Sequence, residues 1–200
     1  MIAGLVLAAG LGRRMGTVKP LVDVGGTPSL ARVLSTIDKA GVPFVVVVLG
    51  HEASRIRSEV DMKGRHVVEN PSPERGMASS LALGLDALPA NADGVLVFHA
   101  DMPYLRPETV RALVRAAAQG PEIVAPRWNG TRGFPVFFRR SQWSELGSTL
   151  RGEVGGRSLI ARHPERLRVV DVEDPGCVRD IDRPDDLTPQ EEAPCCATSA

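Results

Sequence analysis

The sequence has 200 residues, of which 43% are hydrophobic and 24% charged, which suffices for one substantial core but is short for two typical domains. Lys plus Arg and Asp plus Glu number 24 each, so no overall field attracts the chain to nucleic acid or to an anionic membrane. We therefore predict one domain over residues 1–187 and expect neither nucleic acid nor a membrane as a partner. The polar residues 188–200 have little to bury, which predicts a disordered tail.

Apolar runs and cysteines narrow the class further. No run approaches the roughly 20 residues needed to cross a bilayer, and the amino terminus lacks a secretory pattern, so a cytoplasmic location is expected. Cys177 stands alone, while Cys195 and Cys196 are adjacent. This spacing fits neither a disulfide framework nor a zinc site.

Short apolar runs rich in β-branched residues alternate with helical patterns along the chain. The predicted strands are Ile2 to Ala8, Phe44 to Leu49, His66 to Glu69 and Gly94 to Phe98, and the clearest predicted helices are Pro28 to Ala40 and Pro107 to Ala118. Strands that are apolar on both faces and separated by helices are typical of a parallel sheet covered on both sides. We predict a three-layer, doubly wound, Rossmann-like α/β fold.

A later pair of apolar runs has a different connection. Residues Glu122 to Pro126 and Phe134 to Phe138 bracket the turn Trp128-Asn129-Gly130, which is typical of a hairpin. The predicted sheet is therefore mixed but mostly parallel.

A glycine-rich segment with several cations follows the first predicted strand. Its glycines are Gly10, Gly12 and Gly16, and the cations Arg14 and Lys19 accompany them. Glycines let backbone N–H groups approach phosphates closely, and the cations supply the charge that a triphosphate needs. A tight turn with solvated basic residues is the alternative. The glycine spacing fits neither a dinucleotide-binding fingerprint nor a P-loop, which disfavours both of those classes.

Three aspartates suggest a metal site. Asp101 follows the strand Gly94 to Phe98 at its carboxyl end, where open α/β sheets bind ligands, and a hard carboxylate there suits Mg²⁺. Asp180 and Asp182 would point the same way in an extended segment, so either could complete the site. Of the histidines, His99 alone lies close to this group in sequence.

Another candidate ligand region lies where a strand gives way to a helix. Asn70 closes the strand, and the segment beginning at Gly76 opens a helix whose free N–H groups and hydroxyls could hold a base or a ribose. Taken alone, Ser79 and Ser80 would be ordinary helix-start residues about as often as ligands.

Five segments follow one another in a recognisable order. They are Leu7-Ala8-Ala9-Gly10-x-Gly12-x-Arg14-Met15-Gly16-x-x-Lys19; Asn70-Pro71 with Gly76-Met77-Ala78-Ser79-Ser80-Leu81; Asp101-Met102-Pro103; Arg132-Gly133-x-Pro135-Val136; and Asp180-Ile181-Asp182-x-Pro184-x-Asp186-Leu187. Together they closely resemble the signature of the MobA/MocA-like nucleotidyltransferases over nearly all of the chain before the tail.

The resemblance implies a nucleotidyltransferase fold and assigns roles to residues. It implies nucleotide binding by Leu7, Ala8, Ala9, Gly10, Gly12, Arg13, Arg14, Lys19, Asn70, Gly76, Ser79 and Ser80, and catalytic roles for Arg14, Lys19 and Asp101. It implies Mg²⁺ or Mn²⁺ bound by Asp101 and Asp182, and an acceptor side that includes Asp180, Arg132, Gly133 and Pro135.

The pattern looks closest to the branch that transfers CMP from CTP to molybdopterin or the molybdenum cofactor, because GTP-using relatives tend to have glycine at the position of Ala9. A molybdoenzyme or its chaperone would be the further partner. Phe134 and Glu153 replace a histidine and an aspartate that are usual in that branch, and both departures fall on the acceptor side. The alternatives are a guanylyltransferase, a sugar-1-phosphate or other small-phosphate nucleotidylyltransferase, and a non-catalytic delivery module.

Overall fold

The computed structural model describes residues 1–10, 18–149 and 156–187, without the side chains of residues 148, 149, 184 and 185. Within this part of the chain eight strands form one sheet: β1 (Ile2–Ala8), β2 (Val45–Leu49), β3 (His66–Glu69), β4 (Gly94–His99), β5 (Ile123–Trp128), β6 (Thr131–Arg132), β7 (Val136–Arg139) and β8 (Leu167–Asp171). The strand order is β3-β2-β1-β4-β7-β5-β6, and β8 pairs with β5. β1 to β4 are parallel, β8 is parallel to β5, and β7 is antiparallel to both of its neighbours. The sheet is mixed and mostly parallel, as predicted.

Helices cover both faces of the sheet. The described residues form α1 (Ser29–Ala40), α2 (Ala53–Glu59), α3 (Met77–Asp86), α4 (Pro107–Ala118), α5 (Trp143–Thr149) and α6 (Arg157–Arg162). Because successive strand residues point to opposite faces, Val6 of β1 belongs to the core with α1, α2 and α4, whereas Leu5 belongs to the core with α3, α5 and α6. These two cores make three layers and confirm the predicted α/β fold. None of the described helices is long and apolar enough to cross a membrane.

The predicted hairpin is present, with a short extra strand. Asn129 and Gly130 have φ angles of 46° and 79°, the left-handed conformation that these residues adopt in a two-residue turn. β6 pairs across this turn with the last residues of β5, and the chain then returns between β4 and β5 as β7. The strand predicted from Phe134 consequently begins at Val136.

The direction of winding changes between β1 and β4. From β1 the chain moves outward through β2 and β3, and it then returns to place β4 on the other side of β1. Ligands of open α/β sheets bind at the carboxyl ends of the strands at such a switch point. Leu7 of β1 is aligned with His99 of β4, so Gly10 and Asp101, which follow these strands, lie at the edge where a ligand is expected.

Candidate active site

Two carboxylates converge on one ammonium beyond the carboxyl end of β4. Lys19 Nζ donates a hydrogen bond to Asp101 Oδ2 at 3.2 Å and another to Asp182 Oδ1. Lys19 and Asp101 are largely shielded, with 19% and 22% of their side chains exposed, whereas 45% of the Asp182 side chain is exposed. The fold brings together three residues that were predicted from widely separated motifs.

Main-chain hydrogen bonds hold the segment that carries Asp182. The backbone N–H of Ile181 donates to the carbonyl of Asp101 at 2.9 Å, and the Ile181 side chain is buried. On the other side, the N–H of Asp182 donates to Asp186 Oδ2 at 2.8 Å. The carboxylate of Asp182 is therefore positioned by its own neighbours and not only by Lys19.

Burial and neighbouring charges shift the pKa values of Lys19 and Asp180. Burial lowers the pKa of Lys19, but the hydrogen bond to Asp182 and the attraction of Asp101 outweigh it, so that the pKa is raised and the ammonium persists at neutral pH. Burial, together with repulsion from Asp182, raises the pKa of Asp180.

His99 is neutral and lies beside an aromatic ring. Burial lowers its pKa below the ordinary value, and this effect exceeds the attraction of Asp101. The imidazole meets the ring of Phe134 edge-on, with the ring centroids 4.3 Å apart. His99 thus contributes no positive charge to the site at neutral pH.

The carboxylates suit a hard divalent cation. Asp101 and Asp182 lie around one point in space, because both contact the same Lys19 nitrogen. Mg²⁺ usually takes one or two carboxylates and fills its remaining positions with waters and substrate phosphate oxygens, and Mn²⁺ accepts the same ligands. Among the described residues no larger cluster of His, Cys, Asp or Glu is placed to bind a metal, and Asp180 does not complete one. The donor set therefore fits a cation shared with a phosphorylated substrate.

A cavity of about 650 Å³ opens beside these carboxylates. One end is polar and includes Lys19, Asp101, Asp180 and Asp182. Most of the remaining wall is apolar and comes from the sheet, α3 and α6; its members include Leu7, Met77, Leu81, Val97, Phe134, Val136, Phe138 and Ile160. Such a volume accommodates an organic molecule of drug size.

The residues predicted on the acceptor side lie on or just behind this cavity. Arg132, Gly133 and Asp180 line it, and Pro135 is buried behind it. A Cβ atom added to Gly133 would lie 2.0 Å from the carbonyl oxygen of Cys177. Since Cys177 precedes the aspartates by a few residues, this close contact ties the acceptor side to the metal side.

The predicted Asn70 region forms an internal network. Asn70 Nδ2 donates to Ser79 Oγ at 2.8 Å and to Ser80 Oγ at 2.9 Å, and Ser79 Oγ donates to the carbonyl of Gly76 at 2.8 Å. Asn70 and Ser80 are 3% and 4% exposed. These side chains fasten the end of β3 to the first turn of α3, and their contact with a nucleotide stays a prediction.

The glycine-rich segment is described only in part. Leu7 lines the cavity, and Ala9 is 8% exposed and packs against Gly50. Ala8 and Gly10 end the first described stretch. Predicted site residues Gly12, Arg13 and Arg14 lie outside the described residues, as do Glu153 and the predicted tail.

Buried Asp174 connects two segments near the cavity, a role that was not predicted from the sequence. It is 2% exposed and accepts hydrogen bonds from the N–H of Arg106 at 2.9 Å, from Thr109 Oγ1 at 2.6 Å and from the N–H of Gly176 at 2.9 Å. It therefore connects the start of α4 with the segment leading to Asp182. The signal in the sequence was Asp174-Pro175-Gly176, a turn pattern in which an aspartate accepts a hydrogen bond from the backbone two residues on.

Arg157, the first residue of α6, also lines the cavity and was missed. The available signal was its place at the end of the glycine-containing segment 152–157, which the resemblance had already marked through Glu153. The apolar wall residues Phe138 and Ile160 gave no signal, because in the sequence they are ordinary core residues.

Comparison with known proteins identifies relatives of this arrangement. The MobA-like NTP transferase domain matches residues 4–167, a range that includes Lys19 and Asp101 and ends before Asp182. Bifunctional protein GlmU of Solibacter usitatus is 37% identical over 121 residues, or 58% of this chain and 26% of that protein, so the chain spans about a quarter of that relative. Nicotine blue oxidoreductase of Paenarthrobacter nicotinovorans is 27% identical over 189 residues, or 90% of this chain and 92% of that protein.

Solved structures extend the similarity to nearly the whole chain. Rv0371c from Mycobacterium tuberculosis H37Rv has a TM-score of 0.82 and 32% identity over 92% of this chain and 94% of its own. A manganese complex of Rv0371c has a TM-score of 0.79 and 31% identity over 92% and 95% of the two chains.

Proposed function

Because the chain belongs to the MobA-like NTP transferase family, we propose that it transfers the NMP unit of an NTP to a phosphorylated small molecule and releases pyrophosphate. The observation that carries this proposal is the convergence of Asp101 and Asp182 on Lys19 Nζ, at the edge of the sheet where the glycine-rich segment begins. Paired carboxylates for a cation, a retained ammonium and a glycine-rich turn are the groups that a polyphosphate substrate needs.

The chemistry can be written without a general base. An oxygen of the acceptor phosphate attacks the α-phosphorus of the NTP in line, forming a P–O bond while the bond from the α-phosphorus to the bridging oxygen breaks and pyrophosphate leaves. A phosphomonoester has a second pKa of about 6, so the attacking group is already largely dianionic at neutral pH. Catalysis then consists of positioning and of neutralising charge.

Residues of this chain take distinct parts in that step. Lys19, held as an ammonium, stabilises the charge that develops on the departing pyrophosphate, and we assign the same role to Arg14 from its place in the glycine-rich segment. A divalent cation held by Asp101 and Asp182 would neutralise phosphate charge and polarise the phosphorus centre. The manganese complex of the relative Rv0371c supports a site of this kind.

For the substrates we propose CTP and molybdopterin or the molybdenum cofactor. The support is the resemblance to CMP-transferring enzymes and the alanine at position 9, where GTP-using relatives tend to have glycine. A molybdoenzyme or its chaperone would receive the product. Transfer of GMP, or transfer to a sugar 1-phosphate or another small phosphate, uses the same NTP half of the site and is distinguished only by assay.

Two alternative functions do not involve nucleotidyl transfer. A non-catalytic delivery module would not need Lys19, Asp101 and Asp182 brought together. An oxidoreductase has a specific precedent, since the relative that matches nearly the full length is named nicotine blue oxidoreductase. The glycine spacing at positions 10, 12 and 16 departs from the dinucleotide-binding fingerprint and favours transfer.

The deciding experiment offers the purified protein each of the common NTPs with Mg²⁺ or Mn²⁺, with and without isolated molybdenum cofactor, and measures pyrophosphate release. We expect release that depends on both NTP and acceptor and is greatest with CTP. A parallel assay follows NADH and NADPH consumption with nicotine blue as the electron acceptor. Reduced nicotinamide consumption without pyrophosphate release from any NTP would replace the transferase assignment with a redox one.

A further inference from the structure

The cationic side chains that line the cavity differ in whether they pair with carboxylates. Lys19 contacts two carboxylates, whereas the guanidinium groups of Arg132 and Arg157 form no hydrogen bond or ion pair within the described part of the chain. Many other arginines of this protein are paired; Arg127, for example, makes two hydrogen bonds to Asp171. Two unpaired guanidinium groups on one cavity leave positive charge available for an anionic ligand.

The strand order separates these arginines from the proposed nucleotide region. The glycine-rich segment and Lys19 follow β1, whereas Arg132 lies on β6 and Arg157 begins α6. β1 is on one side of β4 and β7, β5 and β6 are on the other, so Asp101 at the end of β4 lies between the two cationic regions. An in-line transfer needs its two phosphorylated substrates on opposite sides of the reacting phosphorus.

Apolar side chains form the wall beside the arginines. Phe134, Val136, Phe138 and Ile160 line the same cavity, and the ring of Phe134 is fixed edge-on against His99. The cavity volume of about 650 Å³ exceeds what a bare phosphate fills. Flat rings gain from contact with aromatic faces, and planar guanidinium groups match phosphate oxygens in pairs.

We propose that Arg132 and Arg157 bind the phosphate of the acceptor, and that Phe134 and the apolar wall hold a flat ring attached to it. The acceptor class is thus a phosphomonoester carried on a ring-containing body. Arg157 gains a binding role that its sequence motif did not assign. The assignment to the acceptor rests on the proposed transferase function, whereas the anion site itself does not.

Binding can be measured without turnover. We would titrate the full chain, free of NTP and metal, with phenyl phosphate and with inorganic phosphate by calorimetry. The variants are Arg157→Met and Arg132→Met, which keep an unbranched apolar stem and remove the charge. Arg162→Met is the matched control, because Arg162 lies on the same helix and pairs with Glu145 instead of lining the cavity.

We expect wild type to bind phenyl phosphate more tightly than inorganic phosphate. Each cavity variant should weaken phenyl phosphate binding by about tenfold or more, the usual loss for a charge-assisted hydrogen bond. Arg162→Met should bind as wild type does. Phe134→Ala should reduce the advantage of phenyl phosphate over inorganic phosphate and leave inorganic phosphate binding unchanged.

Three results would overturn the proposal: no binding of phenyl phosphate by wild type, equal binding by Arg157→Met and Arg162→Met, or loss of binding in Lys19→Met with retention in Arg157→Met. NTP binding in the presence of Mn²⁺ is measured on the same samples. A wild type that binds phenyl phosphate through Arg157 but binds no NTP would refute the transferase function while leaving the anion site in place.

Discussion

The two sides of the cavity are formed by different kinds of structural element. The β1 side, with Leu7, Lys19 and Met77, rests on parallel strands and on a loop held by the buried Asn70 network. The β6 side, with Arg132, Phe134 and Arg157, comes from short segments after the hairpin turn and from the start of a six-residue helix. The β1 side is braced by parallel strands and buried polar groups. The β6 side is held by the pairing of β6 with β5 and by two main-chain hydrogen bonds, from Gly133 to the carbonyl of Pro126 and from Phe134 to the carbonyl of Cys177.

This difference bears on two parts of the proposed function. The proposed transfer step uses the shared contact of Lys19, Asp101 and Asp182, and a main-chain hydrogen bond from Ile181 to Asp101 joins the segments of the two aspartates. Under the same proposal, the choice of acceptor would depend on the exposed Arg132 and Arg157 and on the ring of Phe134.

The largest loss of activity is expected for a substitution of Asp101, which lies between the two sides of the cavity. Asp101→Asn should reduce pyrophosphate release by at least about 100-fold, because it removes a charged ligand from the proposed cation site. The fold should persist, since the substitution preserves shape and the site is open to the cavity. Asp171→Asn, an exposed carboxylate paired with Arg127, is the control and should retain activity. Normal turnover of Asp101→Asn under matched Mg²⁺ would remove Asp101 from the site.

The β1 side is tested alone by Lys19→Met. We expect transfer to slow by about 10- to 100-fold and NTP affinity to fall, because an ammonium beside the leaving pyrophosphate is lost. Only 19% of the Lys19 side chain is exposed, so thermal stability should be measured with and without Mn²⁺. In the absence of metal the unbalanced Asp101 and Asp182 should lower the melting temperature by a few degrees, and Mn²⁺ should restore it.

Lys39→Met provides the comparison for that variant, because Lys39 lies in the exposed last turn of α1. It should leave both transfer and melting unchanged. If Lys19→Met melts early at every metal concentration while its folded fraction transfers normally, Lys19 is a structural residue.

The connection between the sides is tested by Gly133→Ala. The new methyl group would meet the Cys177 carbonyl at 2.0 Å, so the segment leading to Asp182 must move. We expect a loss of about 1–3 kcal/mol in the free energy of unfolding and a roughly tenfold loss of turnover. Gly147→Ala, in α5 with open space at its Cβ position, should be neutral or slightly stabilising. Chemical denaturation and a transfer assay on both variants decide whether the contact matters.

The smallest effect is expected for nucleotide choice. CTP should be preferred to GTP in kcat/KM, and a steric preference resting on one methyl group is worth only about 10- to 200-fold. Ala9→Gly should relax the preference only partly, because Ala9 is 8% exposed and packs against Gly50. Equal kcat/KM values for the two nucleotides in wild type, or a preference for GTP, would exclude the cytidylyl assignment and leave nucleotidyl transfer standing.

Local patterns in the sequence predicted most of the sheet. β1, β3 and α4 begin and end where the sequence indicated. β1 is a continuous apolar run, and the start of α4 is marked by Pro107. The hairpin followed from Asn129-Gly130, whose conformation few other residue pairs favour. β8 was missed because Leu167–Asp171 is short, shows neither strict alternation nor a continuous apolar run, and has no buried residue.

Site residues that belong to contiguous sequence motifs could be predicted. Site residues that reach the cavity only through the packing of distant elements could not. Lys19, Asp101 and Asp182 were chosen from separate motifs, and their contact follows the expected edge of the sheet. Arg157 and Phe138 became cavity residues only because α6 and β7 pack beside β4, and no local period encodes that packing. The hydrogen bonds of Asn70 to Ser79 and Ser80 likewise depend on where α3 docks.

Asp174 bears on how the cavity can open. Its carboxylate holds the N–H groups of Arg106 and Gly176 and the hydroxyl of Thr109 in the protein interior. Displacing the segment toward Asp182 would expose this carboxylate and free the first turn of α4 at once. In hydrogen exchange, the amide protons of Arg106 and Gly176 should then exchange at the same rate, because one cooperative opening, and not local fraying, exposes both of them.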